Sequence, residues 1–183
     1  MCDKVILKKL KEGNREALGM LWKSQGANVL NLAFRMLGDR DDAEDILMDI
    51  FVQVPSSIQK FRGESSLGTW LYRLTVNACL MKLRRNKRHS VLEEENQDRI
   101  MDESIGHGLS EELPRDYDPE LLEMSLAKLN AETRSLLWLK DAEGLDIKDL
   151  SDIFNMAEGT VKARLSRARL FIRNFLTEKR NHA

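Results

Sequence analysis

The stretch from Gly144 to Arg173 reads GLDIKDLSDIFNMAEGTVKARLSRARLFIR. Its apolar residues recur at helical spacing and predict a short amphipathic helix over about 146–154, a tight turn and a second helix over about 158–178. The second helix carries cations on the side opposite its apolar stripe. A short helix, a turn and a basic helix are typical of the helix-turn-helix motif, whose second helix enters the major groove of DNA.

This second helix has a narrow core face and a broad polar face. A helical projection gives the core stripe as Val161, Leu165, Ala168 and Ile172. The candidate DNA-contacting residues on the polar arc are Thr160, Lys162, Ala163, Ser166, Arg167, Arg169 and Arg173. The small side chains among them would allow close approach to base pairs. A solvated basic face would explain the charge alone, whereas DNA binding explains the whole unit of helix, turn and helix.

The net charge of −1 hides an asymmetry along the chain. Residues 1–90 contain 16 Lys/Arg against 10 Asp/Glu, and residues 160–183 contain 7 against 1. Between these basic regions, residues 91–120 contain 2 Lys/Arg against 11 Asp/Glu, together with glycines and prolines. Such a composition predicts a flexible acidic linker. We therefore expect two domains, at 1–88 and 120–183, joined by a linker at 89–119.

The remaining segments show helical periodicity without convincing strand alternation, so we predict an all-α fold of two small helical domains. The predicted helices of the first domain cover about 3–12, a segment following Asn14, about 28–37, 40–54 (ended by Pro55) and 68–87. In the second domain, helices over about 120–129 and 131–142 precede the helix-turn-helix.

Composition also narrows the class of protein. Cys2 and Cys79 lie far apart and lack a Cys-x-x-Cys partner, so neither a disulfide nor a zinc site is expected, and a reducing cytoplasm fits. No apolar run approaches the ~18 residues of a membrane span, and no signal peptide is apparent, so we expect no membrane insertion. The three histidines are scattered and indicate no catalytic site.

The predicted helix at 40–54 carries a row of acids beside exposed apolar residues. Asp42, Asp45 and Asp49 align at spacings of three and four, where like charges repel. Met48 and Val52 lie beside them on the predicted outer surface. Three interpretations remain open at this point: a solvated acidic helix start, a magnesium site, or an acidic docking surface for a basic partner.

The segment at 61–88 combines a small-residue loop with a basic helix. The loop is formed by Phe61, Arg62, Gly63, Glu64, Ser65 and Ser66. On the helix, Arg73, Asn77 and Arg84 share one flank with Trp70 at its border, while Leu71, Leu74, Ala78 and Met81 are predicted to face the core. Arg can neutralise phosphates, Asn can bond a base edge, and the loop could hold an extruded base. The alternatives are cations that stabilise a helix C-terminus and a core role for Trp70, which is its commoner use.

With both modules in view, the chain resembles the extracytoplasmic-function (ECF) group of bacterial RNA polymerase sigma factors. Three motifs carry the resemblance: DAEDI at 42–46 followed by Phe51, FRGESS at 61–66 with TWLYR at 69–73 and Asn77, and EGL at 143–145 with EGTVKARLSRAR at 158–169. Met48 and Asp49 stand where the family usually has Gln-Glu. Leu67 and Gly68 stand where Phe-Arg is frequent.

The resemblance implies a role for each motif and no catalytic residue, metal or cofactor. Asp42, Asp45, Met48, Asp49 and Val52 would dock on the β′ clamp of core RNA polymerase. The loop at 61–66, with Trp70, Arg73, Asn77 and Arg84, would read and melt the −10 promoter element, while the helix-turn-helix would read the −35 element. The linker would thread towards the RNA exit path. An anti-sigma factor is an expected partner and could hold the otherwise cytoplasmic protein at a membrane.

Two other functions remain as alternatives. A stand-alone helix-turn-helix regulator would bind duplex promoter DNA tightly without polymerase. A metal-dependent nuclease using Asp42, Asp45 and Asp49 would cleave DNA in the presence of magnesium, although the sequence offers no second carboxylate cluster to complete its site.

Overall fold

The computed structural model describes residues 3–89 and 118–180. Every regular element in these two ranges is helical, which confirms the predicted all-α class. The helices of the first range are α1 (Asp3–Lys11), α2 (Arg15–Leu37), α3 (Arg40–Ser57), a 3₁₀ turn (Ile58–Lys60) and α4 (Leu67–His89). Those of the second are α5 (Pro119–Ala127), α6 (Ala131–Asp141), α7 (Ile147–Phe154) and α8 (Glu158–Arg180). The predicted acidic linker at 89–119 lies almost wholly outside the described residues.

The chain divides into two compact units, and the first consists mainly of the residues up to His89. In the first unit, α2 and α3 form an antiparallel helical pair on which α1 and α4 pack. The connection is short because Gly38 ends α2 with φ of 74° and Asp39 begins α3, its Oδ1 accepting from the Asp42 N–H at 2.8 Å. At the start of α2, Asn14 Oδ1 accepts from the Ala17 N–H at 3.0 Å and so caps the helix.

The structure corrects the prediction at two places in this helical pair. The two helices predicted between Asn14 and Leu37 are one continuous helix. Gly26 lies buried inside it, where its cost of about 1 kcal/mol is outweighed by the packing of the buried face of α2. The predicted end of α3 at Val54 is also wrong, because α3 continues through Pro55 to Ser57. Pro55 lacks the N–H of a helical residue, but it lies in the last turn, where the Ser56 and Ser57 hydroxyls donate to the Gln53 carbonyl.

The core of the first unit is apolar and fixes the orientation of α4. Leu71 is fully buried as predicted, but Met81 is 64% exposed, so the predicted core face is wrong at its far end. The predicted core residues are ~3.3 positions apart on average, which is less than the 3.6 residues of one helical turn. Over three turns the predicted face therefore rotates by about 80° around the helix axis. The stripe that α4 buries is instead Leu67, Leu71, Tyr72, Thr75, Val76 and Cys79.

In the second unit, α5 and α6 pack against α8. Asn130 caps α6, its Oδ1 accepting from the Thr133 N–H at 2.8 Å. The predicted core stripe of α8 is confirmed: Val161, Leu165, Ala168 and Ile172 are all buried. The opposite side of α8 is thereby left outward.

Candidate functional site

The outer face of α3 presents a stripe of alternating acidic and apolar side chains. Asp45, Met48, Asp49 and Val52 are all exposed, and their spacing places them in one row. Met48 is 55% exposed and Val52 is 75% exposed, whereas six other apolar residues of α3 are buried in the core. We call these four residues the α3 stripe. An exposed row of this kind suits a protein partner that offers cations and apolar surface together.

Asp42 differs from the other predicted docking residues because it makes a short and partly buried ion pair. Lys82 of α4 places its Nζ 2.6 Å from Asp42 Oδ1 and 3.7 Å from Asp45 Oδ2. The hydrogen bond to Asp42 raises the pKa of Lys82, and the negative charges of Asp42 and Asp45 act in the same direction. Asp42 is half-buried, whereas the Asp45 side chain is 76% exposed. Asp42 therefore joins α3 to α4, and Asp45 is the more accessible of the two to a partner.

Two aromatic side chains of α2 are exposed in part, which the sequence did not predict. Trp22 of α2 meets Phe51 of α3 edge-on with ring centroids 4.7 Å apart, yet it remains exposed along part of its surface. Phe34, also on α2, is about half exposed. Only the packing of α2 on α3 reveals the outward edge of Trp22.

The loop at 61–66 is fixed at both ends and exposed in the middle. The Phe61 ring is buried and lies 5.3 Å, centroid to centroid, from Trp70, so both rings support the loop from inside. Ser66 caps α4: its hydroxyl accepts from the Thr69 N–H at 3.0 Å. Arg62, Gly63 and Glu64 are exposed, and Gly63 has a φ of 77°, a backbone geometry that favours glycine.

The predicted basic flank of α4 is outward-facing. Arg73, Asn77 and Arg84 are all exposed, and the exposed Met81 lies at helical spacing from the last two. This face therefore offers cations, an amide and one apolar side chain. These groups can bind phosphates, base edges and unstacked base surfaces respectively.

The helix-turn-helix has the predicted order of elements. Asn155 turns the chain with a φ of 52°, and the Met156 N–H donates to the Ser151 carbonyl at 3.1 Å. Thr160, Lys162, Ala163 and Ser166 are exposed on the first two turns of α8. The structure thus presents these four side chains together at the beginning of the basic helix.

The arginines of α8 are not equivalent. Arg169 was predicted to contact DNA, but its side chain is only 12% exposed and its Nη2 donates to Asp141 Oδ1 at 2.6 Å. Arg164 is likewise paired with Glu132 of α6. Arg167 and Arg173 are partly buried, and both make further interactions within the protein. Arg169 and Arg164 therefore attach α8 to α6, a role that the sequence did not indicate.

Within residues 3–89 and 118–180, no group of three or more His, Cys, Asp or Glu side chains is arranged to hold a metal ion. The Lys82 ammonium occupies the position beside Asp42 and Asp45 where the nuclease alternative requires a divalent cation. Over the same ranges, no helix has the length and apolarity needed to cross a membrane.

Comparison with known proteins assigns both units. The family model for Sigma-70 region 2 matches residues 21–89, and that for Sigma-70, region 4 matches residues 120–172. The ECF RNA polymerase sigma-E factor of Haemophilus influenzae is 30% identical, with 95% of each chain covered. ECF RNA polymerase sigma factor SigW of Bacillus subtilis is 27% identical, with 97% of this chain and 98% of that protein covered.

Two solved structures share the fold. CnrH, in complex with the cytosolic domain of CnrY, superposes with a TM-score of 0.67 at 19% identity, covering 96% of this chain and 97% of that chain. RpoE of Bartonella quintana, in a co-crystal structure with the anti-sigma factor NepR, gives 0.65 at 23% identity, covering 87% and 96%.

These matches identify the chain as a two-domain sigma factor. It belongs to the ECF group of bacterial RNA polymerase sigma factors, the promoter-specificity factors of transcription initiation.

Proposed function

We propose that this sigma factor binds its partners through three separate surfaces. The α3 stripe docks on the β′ clamp of core polymerase, the 61–66 loop and the outer face of α4 read and open the −10 element, and α8 reads the −35 element. The observation that carries the proposal is the outward position of all three surfaces while their neighbours form the core. The protein has no catalytic residue of its own in this scheme, because polymerisation is the chemistry of core polymerase.

Docking depends on the α3 stripe and on the aromatic edge beside it. Asp45 and Asp49 supply negative charge for a basic partner, and Met48 and Val52 supply apolar contact. Charge complementarity favours encounter and register, whereas burial of apolar surface provides most of the affinity. The exposed part of Trp22 extends the apolar surface onto α2.

Opening of the −10 element requires capture of an unstacked base. The loop at 61–66 is the capture element, with Ser65 and Ser66 as small polar groups and Trp70 beneath Phe61 as support. Arg73 and Arg84 neutralise adjacent phosphates, Asn77 reads a base edge, and Arg62 adds charge beside the loop. Lys162, Ala163 and Ser166 meet the −35 major groove, Thr160 lies at the helix start, and Arg167 and Arg173 are directed to the flanking backbone.

Regulation by an anti-sigma factor follows from the same exposed surfaces. CnrH and RpoE, which share this fold, were each solved with a partner protein, and that of RpoE is an anti-sigma factor. A partner that covers the α3 stripe would prevent docking on polymerase. We place the protein in the cytoplasm, where core polymerase acts, with membrane attachment arising only through such a partner.

The acidic linker completes the proposal. The 2 Lys/Arg against 11 Asp/Glu of residues 91–120 would suit a channel of core polymerase that holds RNA, which is itself an anion. Replacing its acids by amides should weaken holoenzyme assembly or initiation, and unchanged transcription by that variant would refute this role of the linker.

The experiment is run-off transcription with sigma-free core polymerase and fragmented genomic DNA from the host, followed by sequencing of RNA 5′ ends. We expect discrete starts that share upstream −10 and −35 sequences. A Val52→Lys variant should abolish these starts and lose co-elution with core, while Gln53→Lys, a change to another exposed residue one position away, should retain both. Absence of starts and of co-elution for the unaltered protein would favour the stand-alone regulator.

A further inference from the structure

Helix α1 has no task in the proposed function, and it precedes the segment matched by the region 2 family model, residues 21–89. Its last turn nevertheless contacts the beginning of the −10 loop. Lys11 Nζ donates to the Phe61 carbonyl at 2.7 Å, across 50 positions of sequence. Gln59 Nε2 donates in return to the Lys11 carbonyl at 2.9 Å. These reciprocal bonds join the end of α1 to the residues that lead into the loop.

The Lys11 bond completes the immobilisation of Phe61. The ring of Phe61 is buried against Trp70, and its carbonyl is held by an ammonium group, so side chain and backbone are both fixed. At the other end of the loop, the Ser66 hydroxyl caps α4. Between these anchors, Gly63 is turned towards α1, since a Cβ added to it would lie 3.5 Å from Leu7 Cδ2. Helix α1 therefore defines one side of the loop.

We propose that Lys11 is a positioning residue for −10 base capture, acting through the Phe61 carbonyl and not through DNA. This inference rests on the proposed function of the loop. A loop that must order itself on binding spends part of its interaction free energy on lost conformational freedom. By fixing Phe61 beforehand, Lys11 lowers that cost and increases the affinity of the loop for the unstacked base.

The chain supplies a matched control. Lys8 lies one turn earlier on α1, its side chain is 80% exposed, and its partner Glu12 lies 4.0 Å away, just past the end of α1. Lys8→Met removes the same charge from the same helix without touching the loop. A general electrostatic effect on DNA would appear in both variants, whereas a positioning effect would appear only in Lys11→Met.

The test uses holoenzyme formed with the full chain on a promoter found by run-off mapping, with 2-aminopurine in the −10 element reporting base unstacking. We expect Lys11→Met to lower the equilibrium constant for opening by about five- to tenfold, the scale of one partly exposed, charge-assisted hydrogen bond. Lys8→Met should stay within about twofold of the unaltered protein, and Lys11→Arg should recover much of the loss because a guanidinium can donate to the same carbonyl. Core affinity should be equal for all variants.

Three results would overturn the inference. The first is an equal effect of Lys11→Met and Lys8→Met. The second is a loss of core affinity by Lys11→Met together with a lowered Tm, which would indicate general destabilisation. The third is a reduced salt dependence of opening in Lys11→Met alone, which would indicate a direct phosphate contact.

Gln59→Ala, which removes the reciprocal bond and no charge, should also reduce opening. Failure of the unaltered holoenzyme to open any promoter would count against the proposed function instead.

Discussion

The ammonium group of Lys82 lies 2.6 Å from the carboxylate of Asp42 and joins the helix proposed to dock on polymerase to the helix proposed to bind −10 DNA. Both side chains are only partly exposed, at 26% and 34%. A surface ion pair contributes little to stability when both partners are fully hydrated, and more when it is partly shielded. This pair therefore couples two functional helices within the first unit.

A double-mutant cycle with Lys82→Met and Asp42→Asn should give a coupling free energy of about 1 kcal/mol, near the upper end for surface pairs. Urea unfolding of the unaltered protein, the two single variants and the double variant measures this coupling free energy. The matched comparison is Arg40 and Glu44, an i,i+4 pair at 2.9 Å whose side chains are 77% and 51% exposed. That cycle should give only about 0.3–0.5 kcal/mol. A coupling for Lys82 and Asp42 no larger than for Arg40 and Glu44 would show that the geometry contributes nothing further.

The same ion pair predicts a pH dependence at the alkaline end. Asp42 raises the pKa of Lys82 in the folded protein above its ordinary value of 10.5. The folded state therefore holds this proton more tightly, and the stabilisation is fully present below pH 10.5 and lost as the pH rises through the raised pKa. The difference in unfolding free energy between the unaltered protein and Lys82→Met should be constant in neutral solution and shrink above that pH. In an Asp42→Asn background the difference should be smaller throughout.

Cys79 should be chemically inert in the folded protein. Burial raises the pKa of its thiol from 9.0 to about 12, with the charge of Lys82 opposing the shift. The folded protein should then hold on the order of 10³-fold less thiolate than an exposed cysteine in neutral solution. In a Cys2→Ser background, iodoacetamide should modify Cys79 only as fast as the protein unfolds. Rapid modification under native conditions would contradict its burial. Because the thiol pKa is raised, its contribution to stability is present below pH 9.0 and is lost as the pH rises towards 12.

The sequence predicted most of the fold because helix ends and core stripes are local signals. Asn14, Gly38 and Asp39 act as caps through bonds to residues three or four positions away, and the stripe of α8 follows a 3.6-residue period. The continuous α2 was missed because the cost of a helical glycine such as Gly26 is local, whereas the packing of the whole buried face of α2, which outweighs it, depends on the folded unit.

The candidate surfaces were predictable as sets of residues but not as contacts. Two ion pairs join residues that are far apart in the chain: Lys82 with Asp42, 40 positions apart, and Arg169 with Asp141, 28 positions apart. Pairs at such separations produce no periodic pattern in the sequence. Sequence patterns assign a charge to a helix face, whereas tertiary packing decides whether that charge meets solvent or another helix. Arg169 and Asp42 were therefore assigned to binding surfaces although each is engaged inside its own unit.

The corrected core face of α4 predicts opposite outcomes for two apolar residues on one helix. Leu71→Ala should destabilise the protein by about 2–5 kcal/mol, because it opens a cavity in the core. Met81→Ala should change stability by less than about 0.5 kcal/mol, since Met81 is 64% exposed. Thermal or urea unfolding distinguishes them. If Met81→Ala proved as destabilising as Leu71→Ala, the core face predicted from the sequence would be right after all.

Some residues of α8 face outward, where DNA is proposed to bind, and others pack against α6. Substitutions of Lys162 and Arg169 should therefore have different effects. Lys162→Ala should leave stability unchanged, weaken binding of holoenzyme to −35 DNA and lower the slope of log affinity against log salt by about 1. Arg169→Ala should lower the free energy of unfolding by about 1 kcal/mol through loss of Asp141, a loss that Asp141→Ala reproduces and that is not additive in the double variant. Its salt slope should match that of the unaltered protein. A reduced slope for Arg169→Ala with full stability would instead return Arg169 to the DNA-contacting surface, as the sequence had predicted.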